Sequence, residues 1–222
     1  MKIGRYNQST LLIDTKGVRI LIDPSNIGYT EETLNEWTNI DAILITHKHP
    51  DHCCIEAIET IVKRDGAKIF TTSEVANKFG FVCEIVSEGQ GFRFKNVVIE
   101  VTHAVHGYLT GMREGDREIL ENVGYIIDDG DTRLYTTSDT INFYNEYKCD
   151  VLCMPFNGNG ITIGIVEGMD FVKAINPKLL LPIHMQHPNP IMNPNIDELR
   201  NMLDEAEINY AILEIGETID FQ

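Results

Sequence analysis

Three of the chain's seven histidines, His47, His49 and His52, stand within the six residues 47–52 of the stretch 46-THKHPDHCC-54, with Asp51 among them. Imidazoles and carboxylates are ligands of divalent cations, so this stretch is either part of a metal centre or a histidine-rich surface loop. The other four histidines come as two pairs, His103 with His106 and His184 with His187, and each pair follows an apolar run, 97–102 or 178–183. Asp139 stands at the end of a similar run, 133-RLYTTSDT-140. Histidines scattered over a surface would not gather at strand ends, which is where open α/β sheets carry their sites. For Asp139 the alternative is a helix N-cap. Imidazole and carboxylate without thiolate suit Zn²⁺, with Mn²⁺ or Fe²⁺ as alternatives.

The elements that must position these side chains follow from the apolar pattern. Short apolar runs predict strands at 9–13, 19–22, 42–46, 68–71, 82–86, 97–102, 123–128, 133–136, 151–155, 178–183 and 210–215. Helical periodicity predicts helices at 55–64, 73–79, 141–147, 163–175 and 196–207, with Ser73 and Asn195 at capping positions. The turns 15-TKG-17 and 128-DDGD-131 mark hairpins. Strands that pair early and alternate with helices later, in both halves, predict two mixed sheets with helices outside. If 47–49 stays extended, the two imidazoles share one side and Lys48 takes the other. Pro50 then ends the strand and lets Asp51 and His52 return to the same space. The segment 107–122 has three glycines, mixed charge and no period, which fits a lid over a site or an irregular solvated hairpin.

With 222 residues, 43% of them hydrophobic, the chain is long enough for one sizeable core, and no compositional break divides 1–222 into more than a single domain. Neither a signal-type apolar region nor a run of about 20 apolar residues is present, so a soluble cytoplasmic protein is expected. Five cysteines are an odd number and suit a reducing compartment better than a disulfide framework. Cys149 and Cys153 flank an apolar segment and are read as core residues. Eighteen basic against 34 acidic residues leave a net charge of −16, which repels a nucleic acid backbone. The expected partner is a small-molecule substrate, not nucleic acid or membrane. A homo-oligomer is compatible with the sequence but not required by it.

The pattern His47-x-His49-x-Asp51-His52, followed by His106, Asp139 before a threonine and His184 in 182-PIH-184, resembles the metallo-β-lactamase fold superfamily over nearly the whole chain. The segments 9-STLLID-14, 23-DP-24, 136-TTSDT-140 and 154-MPFNGNG-160 are most similar to the branch that contains L-ascorbate-6-phosphate lactonase. The resemblance implies a four-layered αβ/βα sandwich of two mixed β-sheets flanked by helices. It implies a metal-dependent hydrolase with two divalent ions, zinc first. One ion would be held by His47, His49 and His106, the other by Asp51, His52 and His184, with Asp139 bridging. The chemistry implied is attack by a two-metal-activated hydroxide on a lactone or ester of a small anionic substrate, with Asp51 or Asp139 moving the proton. A phosphodiesterase acting on a small nucleotide and an iron-dependent redox enzyme are the alternatives. His103 competes with His106 as third donor, and spacing alone leaves the choice open. Asn157, in the turn 157-NGNG-160, is a substrate contact or a plain turn residue, and His103 and His187 are further candidate contacts. Lys48, Arg113 and Arg117 are the nearest cations for a charged substrate. Gln8 and Ser138 depart from the branch, which usually has histidine and glycine there.

Overall fold

The described residues of the structure, a computed structural model, are 1–108, 118–142 and 146–222. Strands β1 (Lys2–Arg5), β2 (Leu11–Thr15), β3 (Val18–Ile22), β4 (Ala42–Ile45), β5 (Lys68–Thr71), β6 (Glu84–Ile85) and β13 (Thr218–Asp220) form one sheet, in the order β13-β1-β2-β3-β4-β5-β6. Strands β7 (Gly91–Phe94), β8 (Val97–His103), β9 (Val123–Asp128), β10 (Arg133–Thr136), β11 (Val151–Pro155) and β12 (Leu179–Ile183) form the second, in the order β12-β11-β10-β9-β8-β7. Both sheets are mixed. The β2–β3 and β9–β10 pairs are antiparallel hairpins at the two predicted turns, whereas β3–β4–β5 and β10–β11–β12 run parallel.

Why β4 and β11 are apolar at every position follows from what covers them. Ala42 and Leu44 of β4 pack between the sheets with Val151 and Cys153 of β11. Ile43 and Ile45 face outward onto Ala57, Ile58 and Ile61 of helix α2 (Ile55–Asp65). Leu152 and Met154 face outward toward Phe171 and Val172 of α4 (Ile165–Ile175) and Leu199 and Leu203 of α5 (Ile196–Glu205). Alternate residues thus enter alternate layers, and a strand buried on both faces loses its polar positions. The layers run helix, sheet, sheet, helix, which is the predicted four-layered sandwich. The short helices α1 (Glu31–Glu36) and α3 (Ser73–Phe79) complete the described helices. No helix among the described residues is long and apolar enough to cross a membrane.

Several expectations are corrected. The run 210–215 contributes only a bridge from Tyr210 to Leu180, because Leu213 is drawn into the core and its carbonyl is taken by the buried Arg5. The last strand lies beyond it, paired with β1 at the register Lys2↔Asp220. Strand β2 begins at Leu11 rather than at residue 9, and β1, β7 and α1 were not anticipated. At the predicted helix 141–147 the described residues 141, 142, 146 and 147 are not helical, and 143–145 lie outside the description. The Ile141 N–H bonds to the Val105 carbonyl at 2.8 Å, and the Thr140 hydroxyl accepts from Val105 and Asn142 N–H groups, so the local donors are bound by a neighbouring segment rather than by a helix. The α3 cap is Thr72, whose hydroxyl accepts from the Val75 N–H, and not Ser73. Asn195 caps α5 as predicted. All five cysteines are free. Cys153 is core, as read from the sequence, and Cys149 is half-buried against the outer cluster beneath α4 and α5. Residues 109–117 of the expected lid, with Arg113 and Arg117, lie outside the described residues.

Candidate metal centre

The ends of β3, β4, β8, β10 and β12 deliver one cluster of side chains. After β4 the chain bends at His47 and Lys48 instead of staying extended. The bend still brings His47 Nε2 to 3.2 Å from His49 Nδ1 and sends Lys48 away to Glu74, at 2.7 Å. Pro50 and Asp51 occupy a turn closed by a hydrogen bond from His52 N to the His49 carbonyl at 3.0 Å. Asn26 N and the Pro24 carbonyl pin that turn to the end of β3, through Pro50 O and Cys54 N.

His106 follows β8, Asp139 follows β10 and His184 follows β12 directly. The donor atoms of His47, His49 and His106 lie within 4.8 Å of one another, as do those of Asp51, His52 and His184, and those of His47, His52 and Asp139. Asp139 Oδ2 is 3.2 Å from His184 Nε2, 3.5 Å from His52 Nε2 and 3.8 Å from His106 Nε2, so it reaches both triads. All seven predicted metal-site residues are brought together. His103 is not among them: it is exposed, and its Nδ1 sits 2.6 Å from the Glu88 carboxylate. Of the two candidates, His106 is the one placed beside His47 and His49.

His47, His52 and His106 have a partner on the other ring nitrogen, and His184 has one on its backbone. His52 Nδ1 lies 2.9 Å from Asp23 Oδ2. His106 Nδ1 lies 2.5 Å from the Gly107 carbonyl. His47 Nδ1 lies 3.0 Å from the Thr46 hydroxyl, and the His184 N–H donates to the Gln8 carbonyl at 2.8 Å. The carboxylate beside His52 and the carbonyl beside His106 hold those two rings with Nε2 pointing inward. Asp23 is the residue that sequence reasoning missed as a site element. Its carboxylate also accepts the Thr46 N–H and hydroxyl, both at 2.8 Å, which locks the start of the ligand loop. The available signal was a carboxylate directly after the apolar strand 18-VRILI-22, at a position now seen to be fully buried.

Gln8, Asp23, Ser138 and His184 all adopt positive φ, between 46° and 61°. This region is unusual for residues with a Cβ and collects at functional sites, where the surroundings enforce it. It also explains why glycine suits position 138 in the branch. Here the Ser138 hydroxyl offsets part of the strain by donating to the Asn122 amide oxygen at 3.0 Å.

Charge divides the cluster in two. Burial, helped by His52, His106 and His49, pushes the His47 imidazole well below its ordinary value. Burial likewise brings His106 down to about 4, against the pull of Asp139. On the other side burial also disfavours charge, but Asp139 and its hydrogen bond outweigh it and raise His184 to about 9. The carboxylates Asp139, Asp23 and Asp51 similarly raise His52. The Asp139 and Asp51 carboxyls, which burial would raise, are held below the usual range by His184 and His52.

The donors fit a cation. Nε2 of His52, His106 and His184 and Oδ1 of Asp139 are buried and make no hydrogen bond, a costly state for polar atoms unless something else satisfies them. A nitrogen and oxygen set of this kind suits zinc, manganese or iron. The other expected contacts lie apart. Asn157 donates its amide to the His184 carbonyl at 2.8 Å and also to the Met192 carbonyl. His187 accepts from the Asn189 N–H within its own loop.

Comparison with known proteins agrees with this geometry. A family described as beta-lactamase superfamily domain matches residues 2–184. A UPF0173 metal-dependent hydrolase from Exiguobacterium sp. is 31% identical over 203 residues, covering 86% of this chain and 88% of that protein. One from Salinibacter ruber is 26% identical over 98% of this chain and 99% of its own length. The structure of Igni18, a metallo hydrolase from the archaeon Ignicoccus hospitalis, superposes with a TM-score of 0.81 at 25% identity, covering 100% of this chain and 99% of that one. The chain belongs to the beta-lactamase superfamily domain family and is a metal-dependent hydrolase with the metallo-β-lactamase fold.

Proposed function

We propose that the chain, acting as one hydrolase domain, uses a two-metal centre to hydrolyse a lactone or ester bond in a small molecule. The observation that carries this reading is the division of seven side chains into two triads with Asp139 reaching both. His47, His49 and His106 would hold one ion and Asp51, His52 and His184 the other, with zinc the best match to the donors. When bound, such ions lower the pKa of a coordinated water toward ~7 and polarise the scissile carbonyl.

The chain's own groups do the rest. Asp139 holds the two triads in one frame. Asp51, with 21% of its side chain exposed, passes the proton between the centre and the leaving group. Asp23 keeps the His52 ring from turning its Nε2 away. The anionic substrate expected from the branch gains no support from Lys48, which is committed to Glu74. A net charge of −16 favours a small molecule over nucleic acid, and five free thiols support a reducing cytoplasm.

The test is metal analysis of the purified chain, then assays of lactones and esters against phosphodiesters with Zn²⁺, Mn²⁺ and Fe²⁺ in turn. The expected result is about two ions per chain, falling to one or none in Asp139→Ala, with turnover of the lactones or esters. Exclusive phosphodiester turnover, or stoichiometric iron with oxygen uptake, would overturn it.

A further inference from the structure

On the His106 side of the centre lies a cavity of about 1010 Å³, at the upper end of the roughly 300–1,000 Å³ typical of ligand sites. It is continuous with the centre, because His106 and Asn122 line it and Asn122 also bonds to the Asp139 carbonyl and the Ser138 hydroxyl. Nine large apolar side chains are exposed among the described residues, and four of them, Ile85, Val105, Leu120 and Ile141, line this one cavity. They come from four separate segments, in β6, after β8, before β9 and after β10, so no single amphipathic element accounts for their convergence. Scattered apolar residues need no explanation, but a contiguous set marks a binding surface.

The wall is preformed. The Glu74 carboxylate accepts from Leu120 N at 3.0 Å and Glu121 N at 3.1 Å. The Glu121 carboxylate answers by accepting from the Ser73 hydroxyl and the Glu74 N–H. The Tyr108 hydroxyl is bonded to both the N–H and the carbonyl of Ile119. Lys48, lying between two of the metal-site histidines, joins this network through Glu74 at 2.7 Å, which ties the cavity wall to the ligand loop.

The charge of the lining is one-sided. Glu88, Glu118 and Glu121 contribute carboxylates, and no Lys or Arg lines the cavity among the described residues. An anionic group placed there meets like charge nearby and a net charge of −16 at long range.

We propose that this cavity receives an apolar, uncharged arm of the substrate, so that the bond cleaved belongs to a neutral ester or lactone with an alkyl or aryl substituent. The cavity assignment rests on the hydrolase reading above only for the identity of the bond.

Two measurements on the full metal-loaded chain test it. The first is kcat/KM for p-nitrophenyl esters and γ-lactones of increasing alkyl length, beside esters of equal length ending in a carboxylate. The expected gain is about fourfold per buried methylene, with the carboxylate-ended esters at least about tenfold poorer. The second is binding, by NMR titration, of uncleavable neutral alkyl ketones of the same lengths to the wild type, Leu120→Asp and Ile141→Asp. Affinity is expected to rise with length in the wild type and to fall about tenfold or more in the variants, with metal content unchanged. A flat length series, a preference for the carboxylate-ended esters, or ketone binding that ignores both substitutions would overturn the proposal. Length-dependent ketone binding without any ester or lactone turnover would leave the cavity assignment standing and remove the bond assignment. Turnover of short esters with no length dependence would do the reverse.

Discussion

The metal centre and the cavity beside it share His106 and Asn122 but are built on opposite principles. In the centre several donor side chains are held from behind by polar partners while their inward atoms are left unbonded: Asp23 fixes His52 and Thr46, the Gly107 carbonyl fixes His106, and Gln8 fixes the His184 backbone. The backbone there is forced into positive φ at Gln8, Asp23, Ser138 and His184. The cavity has partly apolar walls drawn from several segments and tied together by hydrogen bonds among lining residues such as Ser73, Tyr108 and Glu121. The difference teaches where specificity of chemistry and specificity of substrate reside. Chemistry needs atoms placed to a fraction of an ångström, whereas an apolar arm needs only shape and the absence of a charge it would have to desolvate.

The comparison can be broken most sharply at Asp51. Asp51→Ala removes a donor of the second triad and the proton path to solvent together, and turnover is expected to fall by at least about 10³-fold. Neutral ketone binding in the cavity should be unchanged, and a parallel loss of that binding would show that the two regions are not separable. Asp23→Asn leaves the donors in place but weakens the partner of His52, and the expected result is a loss of about 10- to 100-fold in metal affinity, read by competition with a chelator. If affinity is unchanged, the orienting role of Asp23 is wrong.

Lys48→Met cuts the link between the ligand loop and the cavity wall. The side chains of Lys48 and Glu74 are only 10% and 12% exposed, so the expected cost is about 2 kcal/mol in denaturant unfolding. The length dependence of ester turnover should flatten while metal content is kept. The smallest effect belongs to Ser138→Gly. Relief of the positive φ of 61° and loss of the hydrogen bond to Asn122 oppose each other, each on the order of 1 kcal/mol, so the melting temperature should move by only a few degrees. A large destabilisation would mean that the hydroxyl holds Asn122, and with it the shared wall, more firmly than its bonds to Asn122 and to His47 Nδ1 imply.

Much of this was legible because metal donors are rare residue types that stand at strand ends, and strands are announced by apolar runs. His47, His49, Asp51, His52, Asp139 and His184 could be picked out in that way, and the outward and inward faces of β4 and β11 follow from alternation. Asp23 also stands at a strand end, but its part became visible only with β3 and β4 parallel and adjacent, which sets its carboxylate against Thr46 and His52. The non-helical backbone at the described residues 141, 142, 146 and 147 could not be read in advance, since nothing local to them announces that the Ile141 N–H will be taken by Val105. The pairing of β1 with β13 joins the two ends of the chain, and such a contact leaves no periodic signal in either short segment.

By itself, then, the amino-acid sequence determined the layered class of the fold and the set of side chains able to bind metal, because periodicity and residue chemistry are local properties. Only the tertiary structure brought His106 rather than His103 to His47 and His49, turned Lys48 from a candidate substrate cation into a strut, and opened an apolar, acid-lined cavity where cationic groups for an anionic substrate had been expected. These outcomes depend on which distant segments meet, and a hydrogen bond or a cavity wall exists only once both of its sides have been brought together.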